Sequence, residues 1–467
     1  MSAAPSITDA VLADRYDLVV VGAGACGLVA ALAASDAGCS VVVLEKLDSP
    51  GGNTTLSTGS VPGAGTRFQR EAGIEDSPAR MVEDLLRTSG PHDAEHLVEL
   101  MAETSAEVIE WLVDDHDIGL HLITDYKHVG HSVARLHAPS DRNGANLTAD
   151  LVRAASRAHV PIVTGTPVTS LTTADGRVTG VVAETADGVR TITAGAVLLA
   201  SNGFGADRSL LREFIPAMAD APYHGAAGST GEAIGWAQQL GATLANATAY
   251  QAYAAVATDE GDILSWTTVE RGAVIVGPDG RRLGDESVGY SDFAGVIAAQ
   301  ASESYAVMDE RIHDYVARHE PRFVKIIDLG RVQRAADIEE LAALIGCEVS
   351  ALEATLGTAA AAAGGMAADE FGRTDFGTGG ALEAPYYVCR THPAMFHTQG
   401  GVSVDRHARV LDGSGEPIPG LHAGGGVAAG ISGRAGAGGY ASGNGLSTAV
   451  GLGYAAGRHV GAANRAD

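Results

Sequence analysis

The chain has 467 residues, of which 46% are hydrophobic and 61 are glycine, and its formal net charge is −26. This length allows two or three domains, and the acidic charge argues against nucleic acid and anionic membranes as partners. No apolar run reaches the ~18 residues of a membrane-spanning helix. The four cysteines form no C-x-x-C pair, and the N-terminus lacks a secretory signal pattern, so we expect a soluble cytoplasmic protein.

The stretch from Tyr16 to Lys46 has the pattern of a dinucleotide-binding βαβ unit. An apolar strand runs into the G-x-G-x-x-G motif of Gly22, Gly24 and Gly27, an alanine-rich helix follows, and a second strand ends before Glu45. The first glycine permits a tight turn, the second lets backbone approach a pyrophosphate, and the third lets the helix pack on the strand. Glu45 can accept a hydrogen bond from a ribose hydroxyl. The alternative is a glycine-rich βαβ corner with a structural role only.

The segments that follow this unit in the sequence are predicted to form a loop, helices and strands. The loop 49–65 is rich in glycine and hydroxyl side chains, and we expect it to contact the same cofactor. An amphipathic pattern over 77–115 predicts two helices broken at Gly90-Pro91, with Asp93 as N-cap of the second, and another helix is predicted over 144–159. Two strands, 168–171 and 178–185, are joined by a turn at 174–176, and an apolar strand follows at 196–200.

The composition then changes twice. Residues 250–385 combine strands and acidic helices, including an alanine-rich helix that we expect to face solvent near 358–365, and glycine-dense sequence returns from Thr398. A last helix is predicted over 442–460. The prediction is an α/β protein in which a Rossmann-like domain, residues 1–247 and 398–467, is interrupted by an inserted α+β substrate (capping) domain, residues 248–397.

Several motifs in one order resemble the flavoprotein family of soluble fumarate reductases and 3-ketosteroid dehydrogenases. They are the N-terminal motif, GGNTTLSTGS, SVARLHAP, AVLLASNGF, AVIVGPDGRRLGDES, FHTQGGVSVD and PGLHAGGGV. The resemblance implies FAD, held non-covalently because the loop that carries a flavin-linked histidine in some members reads NTTLS here. The implied FAD-binding residues are Gly22, Gly24, Ala25, Gly27, Glu45, Lys46, Gly52, Asn53, Thr54, Gly59, Val168, Gly425, Ser442, Gly443, Gly445, Leu446 and Ser447.

The fumarate-reductase pattern is matched only in part. The resemblance assigns Arg282 as proton donor and His397 as a substrate contact, and it assigns Glu270 and Arg271 to a proton relay. Three positions depart from the pattern, because Tyr253 replaces a histidine, Tyr440 an arginine and Gly426 an acid. A dicarboxylate would lose much of its charge-assisted binding, unless Arg434 compensates.

The ketosteroid-dehydrogenase pattern is matched by two tyrosines. The resemblance implies that Tyr290 removes the substrate's α-proton and that Tyr440, with the N–H of Gly443 or Gly445, polarises the ketone. A phenol has a pKa of about 10, so a cation such as Arg282 would have to lower that of Tyr290. A neutral Tyr440 would stabilise an enolate without adding charge.

We predict an FAD-dependent dehydrogenase that desaturates a ketone, a 3-ketosteroid or a smaller cyclic ketone, at its α,β-carbons and passes electrons to an external acceptor. The alternative within the family is a reductase of an activated C=C bond with Arg282 as acid. A third hypothesis is a flavin-binding sensor or assembly partner without turnover. Structural roles are the alternative for Arg282 with Glu286 and for Tyr290, Tyr253 and His397, and we expect Arg135 and His137 to stabilise a loop. No ligand spacing indicates a metal.

Overall fold

The computed structural model describes residues 12–124, 128–300, 303–377 and 379–465. Residues 1–11, on which the absence of a secretory signal was predicted, lie outside this range. The chain folds into two compact units, a first unit (1–214, 225–250 and 397–467) and a second unit (215–224 and 251–396). The predicted boundaries were 247/248 and 397/398, and residues 215–224 were predicted to lie in the first domain.

The regular elements alternate between strands and helices through most of the chain. The strands are β1 Arg15–Val21, β2 Val41–Leu44, β3 Val61–Pro62, β4 His121–Leu122, β5 Leu136–Ala138, β6 Ile162–Val163, β7 Val168–Ala174, β8 Arg177–Thr185, β9 Gly188–Leu199, β10 Leu244–Ala245, β11 Thr248–Val256, β12 Val274–Val276, β13 Ser304–Asp309, β14 Val332–Ala335, β15 Tyr386–Thr398, β16 Gly401–Val402, β17 Arg409–Leu411, β18 Pro417–Ala423 and β19 Ala435–Gly436. The α-helices are α1 Ala25–Asp36, α2 Asn53–Leu56, α3 Arg67–Glu71, α4 Pro78–Ser89, α5 Glu95–Asp114, α6 Gly144–Arg157, α7 Arg208–Phe214, α8 Glu232–Gln239, α9 Thr267–Glu270, α10 Tyr290–Gln300, α11 Glu310–His319, α12 Pro321–Asp328, α13 Ile338–Ile345, α14 Val349–Ala363 and α15 Asn444–Asn464.

The first unit is built on a sheet with the strand order β17-β18-β9-β1-β2-β6. The pairs β18–β9, β9–β1, β1–β2 and β2–β6 are parallel. The antiparallel hairpin β7–β8 joins the first half of β9, and its turn carries the predicted Asp175 and Gly176, both with positive φ. Residues 18–21 of β1 and all of β2 are buried on both faces, which explains why these segments are uniformly apolar rather than alternating. The dinucleotide-type βαβ unit predicted from the sequence is confirmed.

Helices α1 and α15 pack against each other through small residues. A Cβ atom at Gly453 would lie 2.4 Å from the carbonyl oxygen of Cys26, and one at Gly457 would lie 2.4 Å from that of Ala30. Leu28 and Leu32 on α1 are completely buried, and each contributes about 2–3 kcal/mol through burial. The glycines of α15 therefore let two buried helices approach backbone to backbone.

The second unit contains antiparallel pairs, β12–β13, β13–β15 and β14–β15, with α13 and α14 in its core. This combination agrees with the predicted α+β character of the inserted region. The alanine-rich tract forms the end of α14, where Thr358 is exposed but Ala359 is buried in the core. The helix is therefore only partly solvent-facing. No single helix in the described ranges is long and apolar enough to cross a bilayer; α13 and α14 meet that test only together, bent by 112°.

The helix pair α4 and α5 corrects one detail of the sequence analysis. Ser77 caps α4 by accepting the N–H of Arg80, and the break falls at Gly90 as predicted. The N-cap of α5 is Ala94, however, and no side chain caps it. Asp93 instead accepts a hydrogen bond from Arg434 at 2.7 Å. The prediction of Asp93 as N-cap was wrong, because the carboxylate forms an ion pair rather than turning back to the helix.

His422 on β18 offers a test of acid stability. Its imidazole is buried and neither ring nitrogen has a hydrogen-bond partner among the described residues. Burial lowers its pKa to about 3, and His459, Asp405, Arg409 and Arg177 are the charged or titratable groups that act on it. The unfolded chain takes up a proton at this site near pH 6.5 while the folded chain does not, so stability falls as the pH drops from 6.5 toward 3.

We expect His422→Leu to raise the free energy of unfolding at pH 7 by about 1–2 kcal/mol, because it removes a buried polar group without partners. The variant should also lose less stability than the wild type between pH 6.5 and 4. Urea unfolding at several pH values measures both effects. An identical pH dependence in the two proteins would contradict this account.

Candidate functional site

Several of the predicted cofactor residues of the first unit follow the parallel strands at one edge of the sheet. Gly22 follows β1, Glu45 follows β2, and Gly425 lies shortly after β18. These strands run parallel, so their carboxyl ends meet at the same edge. Open α/β sheets bind ligands at this edge, outside the ends of their strands.

The three motif glycines have different surroundings. Gly22 has φ +108°, and a Cβ there would lie 2.6 Å from the carbonyl oxygen of Ala200. A Cβ at Gly27 would lie 2.0 Å from the carbonyl oxygen of Gly22, so this glycine is needed for α1 to pack on β1. A Cβ at Gly24 would meet nothing closer than the Gly51 oxygen at 3.6 Å. The fold therefore requires Gly22 and Gly27, while Gly24 leaves space at the N-terminus of α1, where an anion binds well.

Glu45 and Lys46 are held in place at the end of β2. The Glu45 carboxylate accepts hydrogen bonds from the N–H groups of Ala23 and Leu47, both at 2.9 Å. Lys46 donates from Nζ to Thr230 Oγ1 at 2.6 Å and to Glu232 Oε1 at 3.0 Å. Glu45 is thus tied to the glycine turn, as an acceptor for a ribose bound there would need to be.

The glycine- and hydroxyl-rich loop joins this turn through Thr54. Its Oγ1 accepts the N–H of Ala25, the first residue of α1, at 3.0 Å. Gly52 precedes the short α2 and has φ +51°, and Asn53 Oδ1 accepts the N–H of Ala226 at 2.6 Å. The structure therefore places this loop directly against the start of α1.

The other predicted cofactor residues lie at element ends of the first unit. Gly59 packs on Pro139 with φ +70°, and Val168 is the first residue of β7. Gly425 has φ +57°, and a Cβ there would lie 3.3 Å from Cys26 Cβ. The remaining residues surround the N-terminus of α15 and are Ser442, Gly443, Gly445, Leu446 and Ser447.

The start of α15 contains a polar residue that lies within the predicted FAD-binding turn, residues 442–447, but that the sequence analysis did not single out. Asn444 is 1% exposed, and its Nδ2 donates to Ser432 Oγ at 3.0 Å. Its Oδ1 has no hydrogen-bond partner among the described residues. A buried acceptor without a partner fits a ligand that carries a donor. Asn at the start of a helix is usually interpreted as a cap, so nothing in the sequence pattern distinguished it.

Tyr440 and His397 lie together beside the first turn of α15. Their rings are 5.8 Å apart in an edge-on arrangement, and the Tyr440 hydroxyl accepts the N–H of Gly445. Burial raises the pKa of Tyr440 to about 12, although the Gly445 N–H opposes this, so the phenol is neutral at physiological pH. Burial also lowers the pKa of His397 to about 4, so its imidazole is neutral as well. The sequence analysis assigned the N–H of Gly443 or Gly445 to the ketone; here the Gly445 N–H contacts the phenol of Tyr440 instead.

The second unit brings Tyr290 together with other aromatic residues. The ring of Tyr290 stacks on that of Tyr253 with centroids 4.8 Å apart, and Trp266 lies edge-on to both. Tyr253 is buried, its hydroxyl donates to Leu264 O at 3.1 Å, and it accepts the N–H of Trp266 at 2.9 Å. Burial raises the pKa of Tyr253 far above its usual range. These contacts support the structural role considered for Tyr253, while Tyr290 is half-buried.

Arg282 lies in a buried ion cluster with Glu286, Asp369 and Arg373. It donates from Nε and Nη2 to the two oxygens of Glu286, at 3.1 and 2.6 Å, and from Nη1 to Asp369. Arg373 Nη1 donates to the same Glu286 at 3.0 Å. Burial acts to lower the pKa of Arg282, but Glu286 and Asp369 raise it overall. The positive charge is therefore balanced within the cluster, and this geometry favours the structural role over proton donation.

Three further predicted residues are also held by protein groups. Arg434 forms an exposed ion pair with Asp93, and the guanidinium of Arg271 lies 3.8 Å from the centre of the Tyr315 ring. Arg135 is buried in ion pairs with two aspartates, in agreement with the loop-stabilising role expected for it. No group of three or more His, Cys, Asp or Glu side chains in the described part of the chain is arranged to hold a metal ion.

The parallel sheet, the glycine turn tied to an acid, and the open space at Gly24 define a dinucleotide-binding protein of α/β type. The chain belongs to the FAD-binding domain family, whose model matches residues 17–446. The protein is thus an FAD-dependent oxidoreductase, and the family and cofactor predicted from the sequence are confirmed. Non-covalent attachment stays a prediction.

Comparisons with individual proteins point to two groups. The NADH:fumarate oxidoreductase of Klebsiella pneumoniae is 30% identical over 90% of this chain, which spans 45% of that protein's length. The open conformation of a flavocytochrome c3 fumarate reductase is similar with a TM-score of 0.80 and 28% identity, covering 96% of this chain and 78% of the other. The 3-ketosteroid-Δ4-(5α)-dehydrogenase of Rhodococcus jostii has a TM-score of 0.77 and 27% identity, covering 96% and 97% of the two chains.

The different surroundings of the motif glycines give a paired test. We expect Gly24→Ala to fold with a melting temperature close to that of the wild type but to bind FAD about 100-fold more weakly, because its methyl group fills space near the pyrophosphate and costs about 3 kcal/mol. Gly27→Ala should instead destabilise the whole protein, because its methyl group meets the backbone of Gly22 and the side chain of Val20. Thermal melts and flavin titration measure the two effects. Full FAD affinity in Gly24→Ala would contradict the assignment.

Proposed function

We propose that the protein desaturates the α,β-carbons of a neutral ketone, a 3-ketosteroid or a smaller cyclic ketone, and passes the electrons to an external acceptor. The observation that carries this proposal is the half-buried, neutral phenol of Tyr440 beside the first turn of α15. FAD supplies the hydride acceptor when it is bound. The roles of Tyr440, Tyr290 and His397 follow from their own surroundings.

Tyr440 is suited to bind a ketone oxygen. A phenol has one donor and accepts through its oxygen, and the Gly445 N–H occupies part of the accepting capacity. The hydroxyl hydrogen is therefore directed away from Gly445 and acts as a donor. A pKa raised to about 12 keeps this hydrogen in place at neutral pH. As negative charge develops on the substrate oxygen, a donor positioned in a buried site stabilises it more strongly than it stabilises the ketone.

Tyr290 is proposed to take the α-proton. It is the first residue of α10, an 11-residue helix, and the positive end of a helix dipole favours an anionic group there. Its ring is held against Tyr253, which fixes its orientation. Arg282 does not supply the cation that the sequence analysis called for, because its charge is balanced by Glu286 and Asp369, so the helix dipole is the positive charge proposed to favour the phenolate.

A dicarboxylate substrate is less well supported by these residues. Tyr440 occupies the position where the fumarate-reductase pattern has an arginine, and Arg434 pairs with Asp93 at the surface. His397 is neutral and supplies no positive charge. Carboxylates bind best to guanidinium donors, and the candidate arginines Arg282 and Arg434 are already paired, which favours a neutral carbonyl. We therefore rank the ketone above the fumarate-like acid, although several relatives are named fumarate reductases.

The roles of the two tyrosines are distinguished by substituting each with phenylalanine. We expect Tyr290→Phe and Tyr440→Phe each to lower kcat by roughly 10² to 10⁴, because both hydroxyls act in the transition state. Only Tyr290→Phe should abolish solvent exchange of the substrate's α-hydrogen while the ketone still binds. Tyr440→Phe should also weaken ketone binding. Stopped-flow flavin reduction and exchange measured by NMR follow these steps.

Tyr253→Phe is the matched control, because its hydroxyl is bonded to backbone groups within the second unit. It should lower stability and leave α-hydrogen exchange in place. Arg282→Lys should likewise act on stability more than on turnover. If Tyr290→Phe oxidised ketones normally while Arg282→Lys were inactive, the base assignment would be wrong and the reductase alternative would replace it.

The direction of the reaction gives an independent prediction. Anaerobic addition of a cyclic ketone, such as a 3-ketosteroid, should bleach the oxidised flavin, whereas fumarate should reoxidise photoreduced flavin only slowly. Fumarate is expected to react slowly because Tyr440 occupies the position where the fumarate-reductase pattern has an arginine. Absorbance near the flavin maximum records both reactions. Fast fumarate-dependent oxidation would favour the reductase, and a flavin that responds to neither ligand class would favour a binding protein without turnover.

A further inference from the structure

A loop before β5 packs directly on the residues that precede α15. A Cβ atom at Gly130 would lie 2.4 Å from Ala441 Cβ, so only glycine permits this approach. The N–H of Ser442 donates to Val129 O at 3.0 Å. The turn from Ser442 to Gly445, called the α15 turn below, is therefore bound to this loop by backbone contacts on one side.

His131 in the same loop makes a second contact with the α15 turn. Its ring is 3% exposed, Nε2 lies 2.8 Å from Ser442 O, and Nδ1 lies 3.2 Å from Arg135 Nη1. Arginine has only donors, so Nδ1 must be the acceptor and Nε2 must carry the hydrogen. Nε2–H therefore donates to the carbonyl of Ser442, and Arg135 selects the tautomer that makes this possible.

Arg135 is itself fixed by two buried carboxylates. It donates to both oxygens of Asp76, at 2.9 and 2.7 Å, and to Asp84 Oδ2 at 2.9 Å. The side chains of Arg135 and Asp76 are completely buried. Asp84 also accepts the N–H of Ser132 at 2.7 Å. A charged group with such partners cannot rotate without leaving buried charges unpaired, so it is a rigid anchor.

We propose that His131 is a positioning residue, which transmits the rigidity of the Asp76–Arg135–Asp84 cluster to the α15 turn through its hydrogen bond to Ser442 O. The turn carries the Gly445 N–H that contacts Tyr440, and it also contributes predicted FAD-binding residues. The catalytic part of this inference rests on the proposed ketone dehydrogenation. The positioning itself is a property of the polypeptide and is measurable without substrate.

Two substitutions at His131 test the roles of its two ring nitrogens separately. His131→Gln places an amide NH₂ near the position of Nε2 and keeps a donor toward Ser442 O. His131→Asn ends near the position of Nδ1, so it keeps an acceptor for Arg135 and loses the donor toward Ser442. In FAD-loaded protein, we expect amide exchange at Ser442 and Asn444 to be about tenfold faster in His131→Asn, the factor that loss of one hydrogen bond implies, and unchanged in His131→Gln. Hydrogen exchange followed by mass spectrometry measures this difference.

With a ketone substrate, His131→Asn should lower kcat by about tenfold at saturating FAD with a smaller effect on KM, while His131→Gln retains activity within about twofold. His137→Asn is the matched control, because His137 is equally buried and bonds to Thr66 and Arg135 O, but not to the α15 turn. It should lower the melting temperature and leave exchange at Ser442 and kcat unchanged.

Equal exchange rates at Ser442 in the Gln and Asn variants would overturn the proposal, as would a His137→Asn variant with the same exchange and kcat changes as His131→Asn. If His131→Asn does not fold, faster amide exchange at Ser442 in His131→Gln than in the wild type is by itself enough to overturn the proposal. Should the wild type oxidise no ketone, the proposed function fails, yet the exchange comparison still decides whether His131 positions the turn.

Discussion

Close backbone contact around the end of β1 is the constraint on which the rest of the first unit depends. Gly27 brings α1 onto the turn at Gly22, and Gly453 and Gly457 bring α15 onto α1. A side chain at any of these positions would meet backbone atoms and push a buried helix away from the sheet. The same contact sets the positions of two helix N-termini, one at Gly24 and one at Asn444, near which many of the predicted cofactor residues lie.

In this acidic protein, buried positive charges are balanced by carboxylates that surround them. Two buried arginines, Arg135 in the first unit and Arg282 in the second, are each surrounded by carboxylates. Breaking either cluster by removing one partner would leave an uncompensated buried charge. These clusters make the structure rigid, because a guanidinium that is hydrogen-bonded to several carboxylates fixes the orientation of the segment that carries it. The groups proposed to bind a neutral carbonyl, in contrast, need no net charge, and Tyr440 and His397 are neutral.

Much of the cofactor site was predictable because local sequence decides it. The turn at Gly22, the space at Gly24 and the acid at Glu45 follow from the order strand, turn, helix, strand and acid, and each is present. The prediction failed at Asp93. Its carboxylate forms an ion pair with Arg434, far away in sequence, instead of accepting an N–H of the neighbouring helix. It was also incomplete at Asn444 and His131, because a buried polar atom is recognised only when its neighbours are known.

The sequence by itself determined the dinucleotide-binding class of the protein, because motif spacing and apolar strands are local properties. Its resemblance to a flavoprotein family implied FAD and the candidate tyrosines. Tertiary structure alone decided which polar groups have partners. It enclosed Arg282 with Glu286 and Asp369, bonded the Tyr253 hydroxyl to backbone, and brought the Gly445 N–H to the Tyr440 phenol. The physical reason is that hydrogen bonding and burial depend on residues distant in sequence, and those partners determine whether an ionisable side chain is available for chemistry.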